Sequence, residues 1–569
     1  MSAHERSPAQ KTATPIWLLL VELRTPLVVL ILVYAVSVLG LVLIPGEDDQ
    51  GQVWRLSFLH AFYIVSYTGS TIGFGEIPYA FTDAQRMWML FVLYASVIAW
   101  LYAIGSVLSV LSDPAFKQLR NHRRFVTRIH SLKVPFWIVC GYGSAGSELV
   151  RFLAEHGIRC VVIDGDQGRV DTARMSELPY EIDVLKGDAG EPQVLVDAGV
   201  KHPLCRGVLA MTDHDQINLT IATNARILAS RVPVYSRSER DSTTRNLLSF
   251  DVEVVIDPYR IMAREMVQLI TRPAAYALYQ QLVDPEIRNV PEPPVVPNGH
   301  WILCSTGRFA ETLVDAFRRA DVAFRLISPE PLRTGGVAGM VRGLGTEATT
   351  LREAAIGTAA GVIAATPDDG DNLSIVLTAQ AENPALFMVA RRNRPTSEPV
   401  FTAGPFDIVL RLGRIIAQEM YARIRSPLLH QFLVQLESMP EPLVEGILGR
   451  LRAKQLPTDA HMTHFSVTLS PSMAPGACDW MSDHTLTLCE LLVDPDGSPL
   501  PALCLLVVRF NGDIVPFPGE GFGLQMGDQC LIWGDSRAEV RLNWILGRRD
   551  VLADAQQRAM AIRTVSGTA

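Results

Sequence analysis

The pentapeptide Thr71-Ile72-Gly73-Phe74-Gly75 alternates glycine with bulky side chains, a pattern that suits chemistry performed by the backbone. Gly73 and Gly75 tolerate backbone conformations that aim successive carbonyl oxygens in one direction. Thr71 adds a hydroxyl at the inner end, and Ile72 and Phe74 can pack away from the carbonyls. Rings of such oxygens can replace the hydration shell of a potassium ion. Because one chain supplies one strand, a complete ring requires several copies, most simply four.

The segments around this pentapeptide predict that it lies at membrane depth. Residues 26–44 and 87–111 are uncharged runs of 19 and 25 residues, and a bilayer core requires about 20 apolar helical residues. Between them, residues 57–68 predict a mostly apolar helix that is too short to span. Irregular backbone after such a helix is tolerated where protein or water covers it. The dipole of this helix directs its negative end toward the pentapeptide and favours cations.

Basic residues predict the orientation of the two spans. Three precede the first span, and six follow the second: Lys117, Arg120, Arg123, Arg124, Arg128 and Lys133. Since positive residues remain inside, we expect both termini in the cytoplasm of a bacterial-type inner membrane. The basic stretch can also contact anionic lipid, although a role in topology explains it equally well. The net charge of −8 gives no indication of nucleic-acid binding.

A second motif follows the basic stretch. An apolar strand-like run at 135–140 leads into a glycine-rich hexapeptide and then a helical pattern at 148–153. The hexapeptide has the form G-x-G-x-x-G: Gly141, Tyr142, Gly143, Ser144, Ala145 and Gly146. In this strand–turn–helix setting the glycines permit a tight turn and close approach of a pyrophosphate to the helix N-terminus. The next strand-like run ends at Asp164, whose carboxylate can bind ribose hydroxyls and repel a 2′-phosphate. NAD or an adenine nucleotide is therefore favoured over NADP, with an empty structural lobe as the alternative.

The alternation of strand and helix continues and then repeats, which predicts a doubly wound parallel sheet in two copies. At an offset of 154, five residues of the first copy recur: Gly207, Thr212, Asp215, Asn218 and Leu219 become Gly361, Thr366, Asp369, Asn372 and Leu373. In the second copy the glycine loop has decayed to a single glycine, Gly307, and Ser328 replaces the ribose acid. We expect no dinucleotide there in the usual pose, although Arg308 can serve another anion.

These motifs resemble two known families. The pentapeptide resembles the selectivity filter of potassium channels, whose commonest form has Val, Tyr and a following Asp where this chain has Ile72, Phe74 and Glu76. Glu76 departs most from that form and bears on the charge of the outer mouth. The two copies resemble RCK domains (regulators of potassium conductance, TrkA-type), and in that family the position of Asp188 lies near the bound nucleotide.

The resemblance implies a two-transmembrane channel with tandem RCK domains. Its fold would be membrane α (two transmembrane helices with a re-entrant pore helix and filter) joined to two Rossmann-like α/β domains and a small α+β lobe. The homotetramer would bind K⁺ at the backbone oxygens of Thr71, Ile72, Gly73 and Phe74. Eight RCK domains would form a ring gated by NAD or by ADP, AMP or ATP. We expect neither enzymatic activity nor a protein substrate.

The expected domains follow from these boundaries. They are a cytoplasmic N-terminus (1–24), the pore domain (25–112), a basic linker (113–133), the first RCK domain (134–284), a proline-rich linker (285–299), the second, degenerate Rossmann lobe (300–427) and the C-terminal lobe (428–569). Five acids of the last lobe can bind calcium but lack EF-hand spacing, and solvated turns are the simpler interpretation. They are Asp494, Asp496, Asp513, Glu520 and Asp528.

Two other functions remain open at this level. A membrane-anchored NAD-dependent oxidoreductase would need an acid or base near the nicotinamide, and no His or Lys has a recognisable catalytic setting. A regulatory subunit of a separate potassium transporter is normally soluble, which the two spans and the pentapeptide oppose. Hydride transfer with NADH, or the absence of potassium flux from the protein alone, would favour one of these alternatives.

Overall fold

The computed structural model describes residues 15–112, 114–333, 336–454, 462–494, 496 and 498–566. The chain divides into two compact units, Met1–Ser131 and Leu132–Ala569. The first unit carries the candidate filter, and the second carries the glycine-rich loop and its degenerate copy.

The first unit is helical apart from a short hairpin. Its elements are α1 (Pro15–Leu43), β1 (Gly46–Glu47), β2 (Val53–Trp54), α2 (Phe58–Gly69), α3 (Asp83–Ser112) and α4 (Pro114–His130). Two segments are long and apolar enough to cross a membrane, Leu23–Leu43 and Asp83–Ser109. The short helix α2 begins at its N-cap Ser57, whose side chain accepts a hydrogen bond from the His60 amide. The stretch expected as a basic linker thus contains the helix α4.

Helices α1 and α3 pack closely because small groups on one meet aromatic rings on the other. A Cβ at Gly40 would lie 2.1 Å from the ring of Trp88, so only glycine fits beneath that ring. The Trp88 indole donates to the Ser37 carbonyl at 3.1 Å, and the Trp100 indole donates to the Tyr34 hydroxyl at 2.8 Å. Large apolar side chains remain exposed on the outward faces of both helices. Such all-round apolarity suits helices surrounded by lipid or by other subunits.

The second unit begins with a six-stranded parallel sheet. Its strands are β3 (Phe136–Cys140), β4 (Arg159–Asp164), β5 (Asp183–Lys186), β6 (Cys205–Ala210), β7 (Val234–Arg237) and β8 (Val254–Ile256). Its helices are α5 (Ser144–Glu155), α6 (Gln167–Met175), α7 (Pro192–Asp197), α8 (Asp215–Leu228), α9 (Asp241–Ser249), α10 (Pro258–Thr271) and α11 (Pro273–Val283). The strand order β5-β4-β3-β6-β7-β8 is that of a Rossmann fold.

A second parallel sheet repeats this order as β11-β10-β9-β12-β13-β14. Its strands are β9 (Trp301–Ser305), β10 (Phe324–Ser328), β11 (Val341–Arg342), β12 (Gly361–Ala365), β13 (Phe387–Arg392) and β14 (Ile408–Arg411). Its helices are α12 (Gly307–Arg319), α13 (Ala348–Glu353), α14 (Asp369–Glu382), α15 (Glu398–Ala403) and α16 (Leu412–Arg425), with 3₁₀ turns at Ile356–Thr358 and Pro395–Ser397. Two Rossmann-like lobes in tandem confirm the fold predicted from the repeat.

The repeated residues are the ones that hold each sheet to its neighbouring helix. Asn218 is buried, and its side chain accepts from the amide and hydroxyl of Thr212 and donates to the carbonyl of Arg237. Asn372 makes the same set of bonds to Thr366 and Arg391. Because these asparagines satisfy backbone groups at a strand end, the fold requires them whether or not a ligand binds.

Each Rossmann-like lobe packs one of its helices against the glycine-loop helix of the other lobe. Helix α10 of the first lobe packs on α12 of the second, and α16 of the second lobe packs on α5 of the first. Each glycine-loop helix is therefore covered by a helix of the other lobe, α5 by α16 and α12 by α10. This arrangement creates two junctions between the lobes, α16 on α5 and α10 on α12.

The remaining residues form a lobe around an antiparallel sheet of order β15-β20-β17-β18. Its strands are β15 (Met462–Thr468), β16 (Leu486–Thr487), β17 (Ala502–Val508), β18 (Ile514–Pro516), β19 (Gly523–Leu524) and β20 (Gln529–Asp535). Its helices are α17 (Pro427–Leu436), α18 (Glu441–Lys454), α19 (Pro475–Met481), α20 (Leu488–Leu491), α21 (Ser536–Leu546) and α22 (Arg549–Ser566). Side chains of α11 join α17, α18, β17 and β20 in one core, so this helix from the first lobe packs with the C-terminal part of the chain.

Candidate functional site

The pentapeptide after α2 adopts an unusual backbone. Positive φ angles recur at every second residue, 60° at Thr71, 61° at Gly73 and 71° at Gly75. In an extended strand successive carbonyls point to opposite sides, whereas this alternation turns them toward a common side. Glycine adopts positive φ freely, but the conformation costs a residue such as threonine about 1 kcal/mol or more. The sequence therefore indicated two of these three positions, and Thr71 gave no signal.

The amides of this segment are bound to the end of α2. The amide of Ile72 donates to the Tyr67 carbonyl at 3.0 Å, and the amide of Thr71 donates to the Thr68 carbonyl at 3.1 Å. These bonds satisfy carbonyls that a helix C-terminus leaves without partners. Since the amides of Thr71, Ile72 and Gly73 are bound to α2, the carbonyl oxygens of the segment stay available for a cation.

Aromatic side chains of α2 hold the end of the segment. The ring of Phe74 stacks on Tyr63 with centroids 6.4 Å apart and meets Tyr67 edge-on at the same distance. The Tyr63 hydroxyl donates to the Glu76 carboxylate at 3.1 Å, and the Tyr67 hydroxyl donates to the Glu76 carbonyl at 3.4 Å. The acid that departs from the common filter sequence is thus turned toward α2 by two phenols.

The glycine-rich loop lies at the carboxyl end of β3, and two of its glycines are sterically required. Gly141 has a φ of 105°, and a Cβ there would lie 3.1 Å from the Thr212 amide nitrogen. A Cβ at Gly146 would lie 1.9 Å from the Gly141 carbonyl oxygen. Gly143 is the N-cap of α5 and provides no side-chain cap, so the first amides of the helix can meet an anion. The loop has the geometry of a pyrophosphate cradle.

The two predicted acids come to the same edge of the sheet. Asp164 ends β4, is 7 % exposed, and accepts hydrogen bonds from the amides of Tyr142 at 2.6 Å and Asp166 at 2.8 Å. Its carbonyl accepts from the Gly187 amide, one residue before Asp188. Asp188 is exposed and accepts from the Gly190 amide at 2.8 Å. The loop, Asp164 and Asp188 thus follow three neighbouring strands at the same edge of the sheet.

The sequence gave no indication of Arg169, a cation in the first turn of α6. Its guanidinium lies 3.8 Å from the Asp164 carboxylate and 4.0 Å from that of Asp213. A Cβ at Gly143 would lie 3.5 Å from the Arg169 Nη1 atom, which places this cation beside the loop. An arginine in this position can neutralise a phosphate at the start of α5.

The degenerate loop of the second lobe has a different environment. Gly307 keeps a positive φ of 62°, and a Cβ there would meet open space. The Ser328 hydroxyl donates to the Glu330 carbonyl at 2.8 Å instead of offering a carboxylate. Arg308, expected to serve another anion, is bound by Asp257 and also pairs with Asp241 at 3.2 Å. Two acids of the first lobe thus neutralise the arginine that follows Gly307.

The acids considered for calcium bind cations and amides of the protein instead. Asp528 pairs with Arg509 at 2.8 Å, Glu520 pairs with Arg450 at 2.9 Å, and Asp494 pairs with Arg541. Asp496 accepts from the amide of Ser498, and Asp513 accepts from the Asn511 side chain. Among the residues that the structure describes, no group of three or more histidine, cysteine or acidic side chains has an arrangement suited to a metal.

Two protein-family models match the chain, one in each unit. The ion channel family matches residues 27–113, which include α2 and the pentapeptide. The TrkA-N domain family matches twice, at residues 137–258 and 301–412. These two matches coincide with the two Rossmann-like lobes.

Three relatives of the chain are named as potassium channels. "Potassium channel protein 1" of Methanocaldococcus jannaschii is 24 % identical over 266 residues, which are 47 % of this chain and 75 % of that protein. "Voltage-gated potassium channel Kch" of Escherichia coli is 23 % identical over 206 residues, 36 % of this chain and 47 % of the relative. The solved structure titled "GsuK channel bound to NAD" covers 94 % of this chain and 99 % of its own, at 17 % identity and a TM-score of 0.47.

Proposed function

We propose that this chain, which the channel and TrkA-N domains make a homologue of archaeal and bacterial potassium channels, assembles as a homotetramer and conducts K⁺ through residues 71–75. The observation that carries the proposal is the backbone of this segment. Its positive φ angles alternate, the amides of its first three residues are bound to α2, and its carbonyls stay available. One such strand cannot enclose an ion, so the site is complete only when several copies converge.

Exposed apolar groups of the first unit support assembly. The side chains of Ile72 and Phe74 are each 61 % exposed in the single chain. They border a cavity of about 970 Å³ between α1, α2 and the pentapeptide, lined mainly by apolar and aromatic side chains. In the membrane, lipid covers outward apolar faces, whereas convergence of several copies around residues 71–75 would bring neighbouring chains against Ile72 and Phe74.

The second part of the proposal is control of the pore by a nucleotide. NAD or an adenine nucleotide would bind the first lobe, with its pyrophosphate on the loop at 141–146 and a ribose at Asp164. The buried carboxylate and the uncapped start of α5 support this assignment. The second lobe, which lacks the ribose acid and whose Arg308 is paired, would bind no dinucleotide in that pose.

Four chains would supply eight TrkA-N lobes and four nucleotide sites in a cytoplasmic ring. Ligand energy reaches the pore when the open and closed rings bind the nucleotide unequally. A preference of ~1.4 kcal/mol at each site is tenfold, and four sites together shift the equilibrium by about 10⁴. Modest differences in affinity are therefore sufficient for gating. Both termini would lie in the cytoplasm of a bacterial-type inner membrane.

Single-channel recording in planar bilayers tests the proposal while NAD and ADP are varied on the cytoplasmic face. We expect K⁺ currents whose open probability depends on one of the nucleotides. Gly143→Asp places a carboxylate where the pyrophosphate would lie, and Asp164→Ala removes the ribose contact. Both should abolish the nucleotide response and leave the preference for K⁺ over Na⁺ unchanged.

The second lobe offers a matched control. Ser328 stands where Asp164 stands in the first lobe, so Ser328→Ala should retain the full nucleotide response. Loss of K⁺ preference in the Asp164→Ala channel would show that the two units do not divide the function as proposed. An unchanged response in both Gly143→Asp and Asp164→Ala would remove the nucleotide site from the first lobe.

A further inference from the structure

The two junctions between the lobes join corresponding helices but differ in charge. At the first, Gly413 of α16 lies directly on the start of α5, because a Cβ there would be 2.8 Å from the Ser144 carbonyl carbon and 3.0 Å from the Ala145 nitrogen. At the second, the start of α10 meets the start of α12. Each junction thus joins a glycine-loop helix to the first turn of a helix from the other lobe.

An acid and an arginine close the second junction. Asp257 is the N-cap of α10 and accepts from the amides of Tyr259 at 3.1 Å and Arg260 at 3.4 Å. The same carboxylate binds the guanidinium of Arg308 in the first turn of α12. A capped helix and a neutralised arginine leave this junction with little attraction for an anion.

At the first junction both partners have been exchanged for residues that attract an anion. At the offset of 154 residues, Asp257 corresponds to Arg411, the N-cap of α16, which makes no side-chain cap. Arg308 follows the retained glycine of its loop, and the residue in that position of the first lobe is Ser144. The acid–arginine pair is thus replaced by an arginine and a small hydroxyl, beside the amides of the glycine-rich loop.

The positive charge at Arg411 is incompletely compensated by its neighbours. Its Nη1 atom lies 3.9 Å from the Glu398 carboxylate, which also binds Arg392. The third arginine nearby, Arg414, is held by Asp284 at 2.8 Å and by Glu286 at 2.5 Å. Arg411 and Arg392 therefore share one carboxylate that is itself half exposed.

The electrostatics agree with this arrangement. Burial lowers the pKa of Arg411, and repulsion by Arg414 lowers it further, whereas attraction by Glu148 on α5 and by Asp284 and Glu286 acts in the opposite direction. Burial and then repulsion by Arg411 lower the pKa of Arg392, which Glu148 also opposes. Both guanidinium groups are thus close enough to α5 to sense its second turn, and both would be stabilised by an added anion.

We propose that Arg411, with Arg392 behind it, binds the phosphate groups of the nucleotide held by the first lobe, so that the ligand bridges the two lobes. This inference rests on the proposed nucleotide site. The ligand class is an adenine nucleotide with at least two linked phosphates. Because the second lobe supplies this contact, binding energy depends on the geometry of the first junction, which is what a gating ligand requires.

The test measures binding to the purified full chain in detergent. ADP is titrated calorimetrically, and adenosine is measured as a competitor of ADP. In Arg411→Gln, the affinity for ADP should fall at least tenfold while that for adenosine stays within twofold of wild type. Arg411→Lys keeps a cation at the site and should bind ADP within about threefold of wild type. Arg394→Gln removes an arginine that is 70 % exposed in the same lobe and should change neither affinity.

Two results would overturn the inference. One is an unchanged ADP affinity in Arg411→Gln. The other is an equal fall for ADP and adenosine, which would mean that Arg411 only maintains the junction. If Asp164→Ala abolishes ADP binding and Arg411→Gln does not change it, this inference fails while the proposed site stands. If wild-type protein binds no ADP or NAD, the nucleotide site itself fails.

Discussion

The two Rossmann-like lobes keep the same internal hydrogen bonds but differ where a ligand or the other lobe is met. Asn218 and Asn372 bind equivalent backbone groups, so duplication preserved what joins the helices to the sheet. At the ribose position the first lobe has Asp164 and the second lobe has Ser328. At the start of the crossing helix the first lobe has Asp257 and the second lobe has Arg411. The difference shows that residues needed for folding persist in both copies, whereas residues at the proposed nucleotide site and at the junctions changed in one.

The crossing helices show a second contrast at equivalent positions. Glu265 of α10 and Glu419 of α16 are both buried. Burial raises the pKa of Glu265 to about 8, because attraction by Arg264 does not outweigh the loss of solvent. For Glu419, Arg264 and Arg423 outweigh burial and lower the pKa to about 2. One site thus favours the neutral acid and the other the carboxylate.

The largest loss of stability should come from Glu419→Gln, which removes the carboxylate of this contrast. Glu419 pairs with Arg264 at 2.5 Å and Arg423 at 3.1 Å and accepts from the Tyr279 hydroxyl at 2.6 Å. Removing one side of a buried ion pair costs about 4 kcal/mol, because Arg264 and Arg423 stay largely buried without their principal partner. Hydrogen–deuterium exchange in peptides of α10 and α16 measures the loss.

Glu437→Gln is the control for this change. Glu437 lies 3.5 Å from Arg264 but is 50 % exposed, so its replacement should cost less than about 1 kcal/mol. Equal losses from the two substitutions would contradict the assignment of Glu419 as the principal partner of Arg264.

A smaller effect, dependent on pH, is expected at Glu265. Its folded pKa of about 8 exceeds the ordinary value of 4.5, so its contribution to stability is present below pH 4.5 and lost as pH rises through 8. Between pH 5 and pH 8 the loss amounts to about 3 kcal/mol. Glu265→Gln should remove this pH dependence and protect α10 and α16 more than wild type does at pH 8. Hydrogen exchange at both pH values checks this, and an unchanged pH dependence in the variant would contradict it.

The smallest change in stability is expected from Gly146→Ala, which sharpens the contrast between the loops. A methyl group at Gly146 would lie 1.9 Å from the Gly141 carbonyl oxygen, so α5 must move away from β3. We expect a destabilisation of about 2 kcal/mol and a loss of ADP binding. The second lobe carries Ala310 at this position, and Ala310→Gly should have no effect on ADP binding. ADP bound by Gly146→Ala with wild-type affinity would refute the steric requirement.

Much of the site could be predicted because its signals are local. The order of strand, glycines, helix and acid fixes where Gly141, Gly143 and Asp164 lie, since parallel strands end at one edge of the sheet. Tertiary contacts could not be predicted in this way. The sequence does not show that α16 covers α5, that Asp257 binds Arg308 across 51 residues, or that Arg169 lies beside the loop. It also placed α11 with the first lobe, although its side chains pack with the C-terminal core.

Ion flux into liposomes containing only this protein tests the central claim most directly. Uptake of rubidium, a substitute for potassium, is compared with uptake of sodium at several concentrations of ADP and NAD, and the mass of the reconstituted particle is measured. We predict a tetramer whose rubidium uptake exceeds sodium uptake at least tenfold and changes with one nucleotide. A correctly inserted protein that is monomeric, or that admits no rubidium under any nucleotide condition, would contradict the account.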